Sequence, residues 1–453
     1  MKAKTKLYLS TSHIIMLSFI AAILLGSVLL SLPISSASGK AVPYIDALFT
    51  STSATCVTGL VTLPTFSTWS IFGQVVILFL IQIGGLGIIT VMSGIMIALH
   101  RKMGLSDRLL IQDAFNLNNL SGLIRFVKKV VIGTFFVEGT GALIYMTVFV
   151  PEFGLRGIWI SVFTSVSAFC NAGIDIIGEN SLIDFAYNPI INVVTSLLIV
   201  LGGIGYTVWW DVIRVVKQAK SFGIKAFRRL TLHSKLAITA TLTLILAGAL
   251  FIFLFEYNNP LTIKNLSLID KAKVCLFQSI TTRTAGFATL PQENLTDSSA
   301  FFSIMLMFIG GSPVGTAGGV KTVTLLILFA SAFATITGKD QISLMGRNIT
   351  RQSLSKALAV VSMSFLTLFA STIFLSMVCN ASAIDILYET ASATATVGLT
   401  RNLTSSFNTA AKLIIIATMY LGRIGPISLA IAFNIKRKRK NTIQNPFEDI
   451  SVG

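Results

Sequence analysis

The residues best suited to do chemistry in this chain sit in four short segments, and the chemistry is that of bare peptide carbonyls. The segments are "TCVTGL" (55–60), "FCNAGI" (169–174), "TRTAGF" (282–287) and "TATVGL" (394–399). Their glycines, Gly59, Gly173, Gly286 and Gly398, lie 114, 113 and 112 residues apart. The residues before each glycine vary: Val57-Thr58, Asn171-Ala172, Thr284-Ala285 and Thr396-Val397. Constant glycines among variable side chains point to main-chain oxygens as the working atoms. Glycine reaches φ > 0 cheaply and can turn its carbonyl toward a shared axis. A ring of such carbonyls can replace the hydration shell of a cation.

The flanks repeat as well. Upstream stand "ALFTSTSA", "SVFTSVSA", "CLFQSITT" and "ILYETASA", each two to three helical turns long. Downstream, 24 to 29 residues after each glycine, come "IGGLGI", "LGGIGY", "IGGSPVG" and "LGRIGPI", opening on Gly84, Gly202, Gly310 and Gly422. Each unit reads as span, short re-entrant helix, extended loop, span. The third copy is one residue shorter between its aromatic residue and its glycine, so its short helix is expected to be shifted. A single such glycine would be read as a helix-packing residue. Four in register favour a common purpose, since non-helical backbone at membrane depth is tolerated only where it is buried in protein or lines a water-filled path.

The elements that must position these loops are legible from composition. Of 453 residues 53% are hydrophobic, mean hydropathy is +0.81, and only 12% are charged, about half the share in soluble domains. Runs such as Ile14–Leu32, Val75–Leu99 and Leu236–Phe255 are long enough to cross a hydrocarbon core that needs about 20 residues. The expected fold is an all-α polytopic membrane protein of four membrane–pore helix–membrane repeats, in pseudo-fourfold arrangement around one central pore. The first run is longer than the ~7–15 residues of a signal-peptide core, so it reads as the first span. The expected units are 1–100 (repeat 1), 101–217 (linker and repeat 2), 218–338 (linker and repeat 3), 339–440 (linker and repeat 4) and 441–453 (tail). Only one second span, that of repeat 3, reads as broken.

The formal charge of +17 does not point to nucleic acid, because it is segregated. Five segments, Lys2–Lys6, Arg101–Lys129, Arg214–Lys235, Lys339–Lys356 and Lys436–Lys440, hold 25 of the 35 lysines and arginines. The positive-inside rule makes all five cytoplasmic, which puts both termini inside and the chain in the plasma membrane. The four cysteines stand singly and there are three histidines. That pattern supports neither a metal site nor a disulfide framework, and nothing suggests a catalytic triad.

In "GGSPVGTAGGVKT" (310–322), five glycines and Pro313 fall within ten residues, at a helix cost of about 1 kcal/mol per glycine and 3 for proline. A helix broken at membrane depth is a candidate moving part. The stretch fails as a phosphate-binding loop, because Val320 and not glycine precedes Lys321. Intramembrane charges are costly and usually functional. Glu138 is expected to be structural, either paired with a basic residue or protonated. Arg283 is expected to brace the third loop, and Lys321 to reach carbonyls freed by the broken helix.

"CVTGL", "CNAGI", "TRTAGF" and "ATVGLT", with "GGSPVGTAGGVKT" and "LGRIGPI", resemble the Trk/Ktr/HKT superfamily of potassium transporters along essentially the whole chain, nearest to the membrane subunit of its Ktr branch. The resemblance implies a selectivity filter at Val57, Thr58, Gly59, Asn171, Ala172, Gly173, Thr284, Ala285, Gly286, Thr396, Val397 and Gly398, with potassium at their backbone carbonyls. It implies a gating loop beneath, with Gly310, Gly311, Ser312, Pro313, Gly315, Thr316, Gly318 and Gly319. Arg423, which replaces a glycine in the fourth downstream motif only, is expected to bond to that loop and raise a barrier to cations. A homodimer with one pore per protomer is implied, on a cytoplasmic nucleotide-binding regulatory ring of KtrA type. No cofactor is expected in this chain, and any nucleotide would sit on the separate ring. Serine at the first filter glycine accompanies sodium permeation in some plant members, so Gly59 favours potassium. The competing readings are a sodium-selective or sodium-coupled transporter of the same superfamily and, more remotely, a membrane-embedded enzyme.

Overall fold

The computed structural model describes residues 11–101, 104–114, 122–223, 228–339 and 341–425. The basic segments Lys2–Lys6 and Lys436–Lys440, and the tail 441–453, lie outside the described residues. Apart from a two-residue hairpin pairing Ser343–Leu344 with Arg347–Asn348, the described structure is helical.

The first unit contains α1 (Thr11–Ser31), α2 (Tyr44–Cys56), the single turn α3 (Thr65–Thr68), α4 (Ile71–Leu86) and α5 (Ile88–Ala98). After α6 (Leu105–Ala114), the second unit runs through α7 (Leu123–Phe153), α8 (Arg156–Cys170), α9 (Pro189–Ile204) and α10 (Tyr206–Phe222). The third has α11 (Leu232–Glu256), α12 (Leu268–Thr281), α13 (Asp297–Phe308) and α14 (Thr322–Ile336). The fourth has α15 (Arg351–Val378), α16 (Ala383–Ala395) and α17 (Thr409–Ile424). The leading helices α1, α7, α11 and α15 are long and apolar enough to cross a membrane. At 1.5 Å per residue, the 21 residues of α1 extend about 31 Å, close to a ~30 Å hydrocarbon core.

Each leading helix packs on the short helix that follows it: α1 on α2, α7 on α8, α11 on α12, α15 on α16. Hydroxyls fasten these pairs. Ser51 donates to the Ile23 carbonyl at 2.7 Å, Ser165 to Glu138 at 2.6 Å and Ser279 to Ile245 at 2.8 Å, while Thr390 meets Thr372 at 2.7 Å. Four more side chains cap the helices that follow the loops, satisfying amides that the helix cannot. Ser70 accepts from Gly73, Asn188 from Ile190 and Ile191, Thr296 from Ser299, and Asn408 from Ala411. Contacts between units close on themselves: α4 packs on α8, α9 on α12, α13 on α16, and α17 returns to α2.

The second spans correct one expectation. Val75–Leu99 is not continuous, for α4 and α5 are bent by 98° at Gly87, and α9 and α10 by 100° at Gly205. These glycines have φ 82°, ψ 135° and φ 95°, ψ 139°, a conformation that side-chain-bearing residues rarely adopt. Gly425, in the same place of the fourth motif, has φ 80°, ψ 145° and ends α17. The last glycine of each downstream motif is therefore a break or a stop, and the third repeat differs in having a whole loop there.

Candidate ion pathway

The four short helices end beside the four glycines. Just past α2, α8 and α16 the chain turns left-handed at Val57 (φ 57°), Asn171 (φ 59°) and Thr396 (φ 52°). The next amide then returns to the helix: Thr58 donates to the Ser53 carbonyl, Ala172 to Ser167 and Val397 to Ser392, each at 2.8 Å. Serine hydroxyls extend the lock, with the amides of Gly59 and Gly398 donating to Ser53 Oγ and Ser392 Oγ at 3.0 Å. In the second copy Ser167 Oγ instead donates to the Ile174 carbonyl at 2.6 Å. The third helix ends at Thr281 and its left-handed residue is Thr284 (φ 72°). Thr281 takes over the clamp, accepting from the Ala285 amide through its carbonyl at 3.0 Å and donating to the Phe287 carbonyl at 2.7 Å. That is the expected one-residue shift, absorbed in the turn 282–285.

The glycines meet. A methyl group built on Gly59 would fall 2.5 Å from the Ala172 carbonyl oxygen, and one on Gly173 would fall 2.7 Å from that of Ala285. One on Gly286 would fall 2.5 Å from that of Val397, and one on Gly398 would overlap that of Thr58. Each glycine thus abuts the carbonyl of the next segment, in the same cyclic order as the helix contacts. All four have positive φ, from 63° to 101°. The helix C-termini end on this ring, and their partial negative charge favours a cation there.

Acid side chains brace the chain that follows the glycines. Asp46, in the first turn of α2, accepts from Thr62 Oγ1 at 2.7 Å and pairs with Lys412. Asp385, at the same place in α16, pairs with Arg401 at 2.6 Å. Glu389 accepts from Thr404 at 2.8 Å and from Thr400. Asp175, two residues past Gly173, accepts from the Ile177 amide at 3.4 Å.

Residues 309–321 form a folded loop that abuts the second and fourth glycine segments. Ile309 and Val320 make a parallel bridge, and Ser312 Oγ and Thr322 Oγ1 stand 3.0 Å apart. The loop docks on the second repeat: the Ser312 and Thr316 amides donate to Gly203 and Gly202 at 2.8 and 3.0 Å, and the Tyr206 amide donates to Val314 at 3.1 Å. A side chain on Gly318 would strike Thr396 of the fourth segment. Arg423 donates to the Thr316 carbonyl at 2.7 Å and to the Gly84 carbonyl, so its guanidinium joins the loop to the first repeat. Arg283 reaches the Gly310 carbonyl at 3.4 Å, and Lys321 donates to Ala317.

Two relations have no counterpart in the expectations. The Asn171 side-chain carboxamide meets Thr316 Oγ1 at 3.2 Å, which links the second glycine segment to the loop. Glu138 has no basic partner among the described residues. It accepts instead from Gln82 at 3.2 Å and from the Cys170 thiol at 3.8 Å, bracing the residue that precedes Asn171. Glu138→Ala is expected to lower stability by about 1–3 kcal/mol by leaving buried donors unpaired. Glu138→Gln, which keeps an acceptor, should lose less. Thermal unfolding of the purified variants in detergent measures both.

Comparison with known proteins adds to this geometry. A family model described as a cation transport protein (TrkH) matches residues 2–444. The Ktr system potassium uptake protein B of Bacillus subtilis is 38% identical, with 97% of this chain and 96% of that protein covered. The potassium/sodium uptake protein NtpJ of Enterococcus hirae is 36% identical, with 100% and 99% covered. The crystal structure of the potassium transporter TrkH from Vibrio parahaemolyticus superposes with a TM-score of 0.73 at 18% identity, covering 95% of this chain and 86% of that one, which shows a shared fold. With the model spanning nearly the whole sequence and relatives this similar along their full length, the chain belongs to the TrkH family of cation transport proteins.

Proposed function

We propose that this chain is the potassium-conducting membrane subunit of a Ktr/Trk-type uptake system, with ions passing along a pseudo-fourfold axis through the ring of Gly59, Gly173, Gly286 and Gly398. The observation that carries this reading is that each glycine lies against the carbonyl of the next segment until the circle closes. The carbonyls of Thr58, Ala172, Ala285 and Val397, with those of the neighbouring filter residues, then supply the oxygens that stand in for water around potassium. Glycine is required because the backbones are too close for a side chain. The family is one of transporters and not of enzymes, and conduction needs no bond made or broken. Uptake is driven by the membrane potential, worth about 2.3 kcal/mol per charge per 100 mV.

In this reading the four units bounded near residues 100, 217 and 338 are successive repeats, and the loop 310–319 with Arg423 is the gate. The segregation of the basic segments in the sequence supports both termini lying in the cytoplasm. The names of the Bacillus subtilis relatives support potassium as the transported ion and a Ktr-type assembly. The chain accordingly works as a homodimer with a separate nucleotide-binding ring. The Enterococcus hirae relative, named for both potassium and sodium, favours a second reading in which sodium is carried or coupled.

The deciding experiment expresses the chain, with and without a Ktr-type ring, in cells lacking potassium uptake. Growth at low potassium and rubidium influx insensitive to sodium are the expected results. Sodium influx without potassium influx would favour the second reading, and influx of neither ion with the ring present would overturn both.

A further inference from the structure

The start of α7 carries a feature that the ion pathway does not use. Arg125, Lys128 and Lys129 are exposed and stand three and four residues apart, so they share one helix face. Ile132 and Phe136 continue the same stripe, 57% and 73% exposed. With Gly133 and Trp210 of α10 these residues line one cleft. Gly133 leaves room for the Trp210 ring, whose atoms would stand 3.6 Å from a methyl group placed there. The Lys129 ammonium lies 5.3 Å from the centre of that ring.

The cleft has a charged rim and an apolar floor, and its charge is unbalanced. Arg125, Lys128 and Lys129 form no ion pair among the described residues. The acid next to Trp210, Asp211, is already engaged by Arg214 and by the amide and hydroxyl of Thr231. The buried indole N–H of Trp210 has no acceptor among the described residues. Along the helix, Ile132 and Phe136 lie about 10 and 16 Å beyond Arg125, which carries the stripe from a headgroup layer into hydrocarbon.

We propose that this cleft is a binding site for one anionic phospholipid, its phosphate held by Arg125, Lys128 and Lys129 and its chains laid along Ile132 and Phe136 beside Trp210. The placement at the cytoplasmic leaflet rests on the orientation given under the proposed function. Basic pockets between membrane helices on that side suit anionic headgroups. A free phosphate would use the rim and leave the apolar floor idle, whereas a phospholipid uses both. Its seat would also tie α7 to α10, whose first residue holds Val314 of the loop.

The test is native mass spectrometry of the delipidated full-length protein titrated with phosphatidylglycerol or phosphatidylcholine. Phosphatidylglycerol should bind at concentrations lower by about tenfold or more, because the three basic residues attract a headgroup of net negative charge. The triple variant Arg125→Gln/Lys128→Gln/Lys129→Gln should lose that preference. A control of equal charge, Arg347→Gln/Arg351→Gln/Lys356→Gln, should keep it. Trp210→Phe should weaken phosphatidylglycerol binding several-fold, because the ring lies beside the chains. Equal binding of the two lipids by the native chain would overturn the proposal, as would a preference surviving in the triple variant. Displacement of the lipid by excess inorganic phosphate would mean a simple anion site and overturn it too. So would a triple variant that keeps the lipid but loses a soluble regulatory ring, since the cleft would then be a protein dock. Binding is read without ion flux, so failure of the pore reading would show separately, as absent potassium influx in vesicles.

Discussion

Gly398→Ala is expected to lower rubidium or potassium influx by about a hundredfold or more, equivalent to roughly 2.8 kcal/mol at 1.4 kcal/mol per tenfold. Two independent effects combine at this residue. Its φ of 98° is one that a residue with a Cβ occupies only under strain of about 1–3 kcal/mol. The added methyl would also overlap the Thr58 carbonyl oxygen and stand 2.8 Å from the Gly59 Cα. Both neighbours are backbone and have no side-chain freedom with which to retreat. Relief must come from moving the first segment, and with it an oxygen assigned to the ion. Gly139→Ala supplies the comparison, because a methyl there meets nothing within 4 Å on an exposed face of α7. It should leave influx unchanged and can stabilise the helix by up to about 1 kcal/mol. Unaltered influx and potassium-over-sodium preference in Gly398→Ala, with both proteins equally abundant in the membrane, would remove the glycine ring from the ion's path.

The sequence exposes the glycine segments because period and residue type agree. Four glycines at nearly constant spacing, with the same flanks, mark one structural device used four times. The left-handed residues at 57, 171, 284 and 396 are less legible, since valine, asparagine and threonine there carry no common signal. Their conformation is imposed from outside by the Ser53, Ser167, Thr281 and Ser392 carbonyls, which accept the amides that follow. The bends at Gly87 and Gly205 were present in the motifs, yet the apolar residues around them read as one continuous span. Hydropathy reports length in lipid and is blind to direction, whereas the positive φ of the last glycine sets the direction. The partners of Glu138 illustrate a different limit. Gln82 lies 56 residues away in sequence, and only the packing of α4 on α8 and of α7 on α8 brings the cluster together. A rule that intramembrane charges pair with opposite charges supplies the need for a partner but not its identity. The link from Asn171 to Thr316, 145 residues apart, is hidden for the same reason.

Arg423→Ala is expected to raise potassium influx by about tenfold in the absence of an activating partner. The guanidinium holds the Thr316 carbonyl from one side and the Gly84 carbonyl from the other, and hydrogen bonds from charged groups contribute about 1.5–3 kcal/mol each. Its own charge has no carboxylate partner among the described residues, and in the proposed pathway it stands as the barrier to a cation that has left the glycine ring. Removing it deletes the tether and the charge together, and Arg423→Lys separates the two. Lysine keeps the charge but, as a single point donor, cannot hold two carbonyls in the planar geometry of arginine. If the tether dominates, Arg423→Lys should conduct nearly as fast as Arg423→Ala. If the charge dominates, it should stay near the native rate. The loop side offers an independent check through Thr316, whose hydroxyl lies 3.1 Å from the Phe169 carbonyl and meets the Asn171 side-chain carboxamide. Thr316→Val keeps the backbone carbonyl that Arg423 grips, so any rise in influx it causes would come from the glycine segment and not from the arginine. Influx in Arg423→Ala no faster than native, with the protein intact in the membrane, would assign the arginine to holding the fold and leave the barrier to the loop alone.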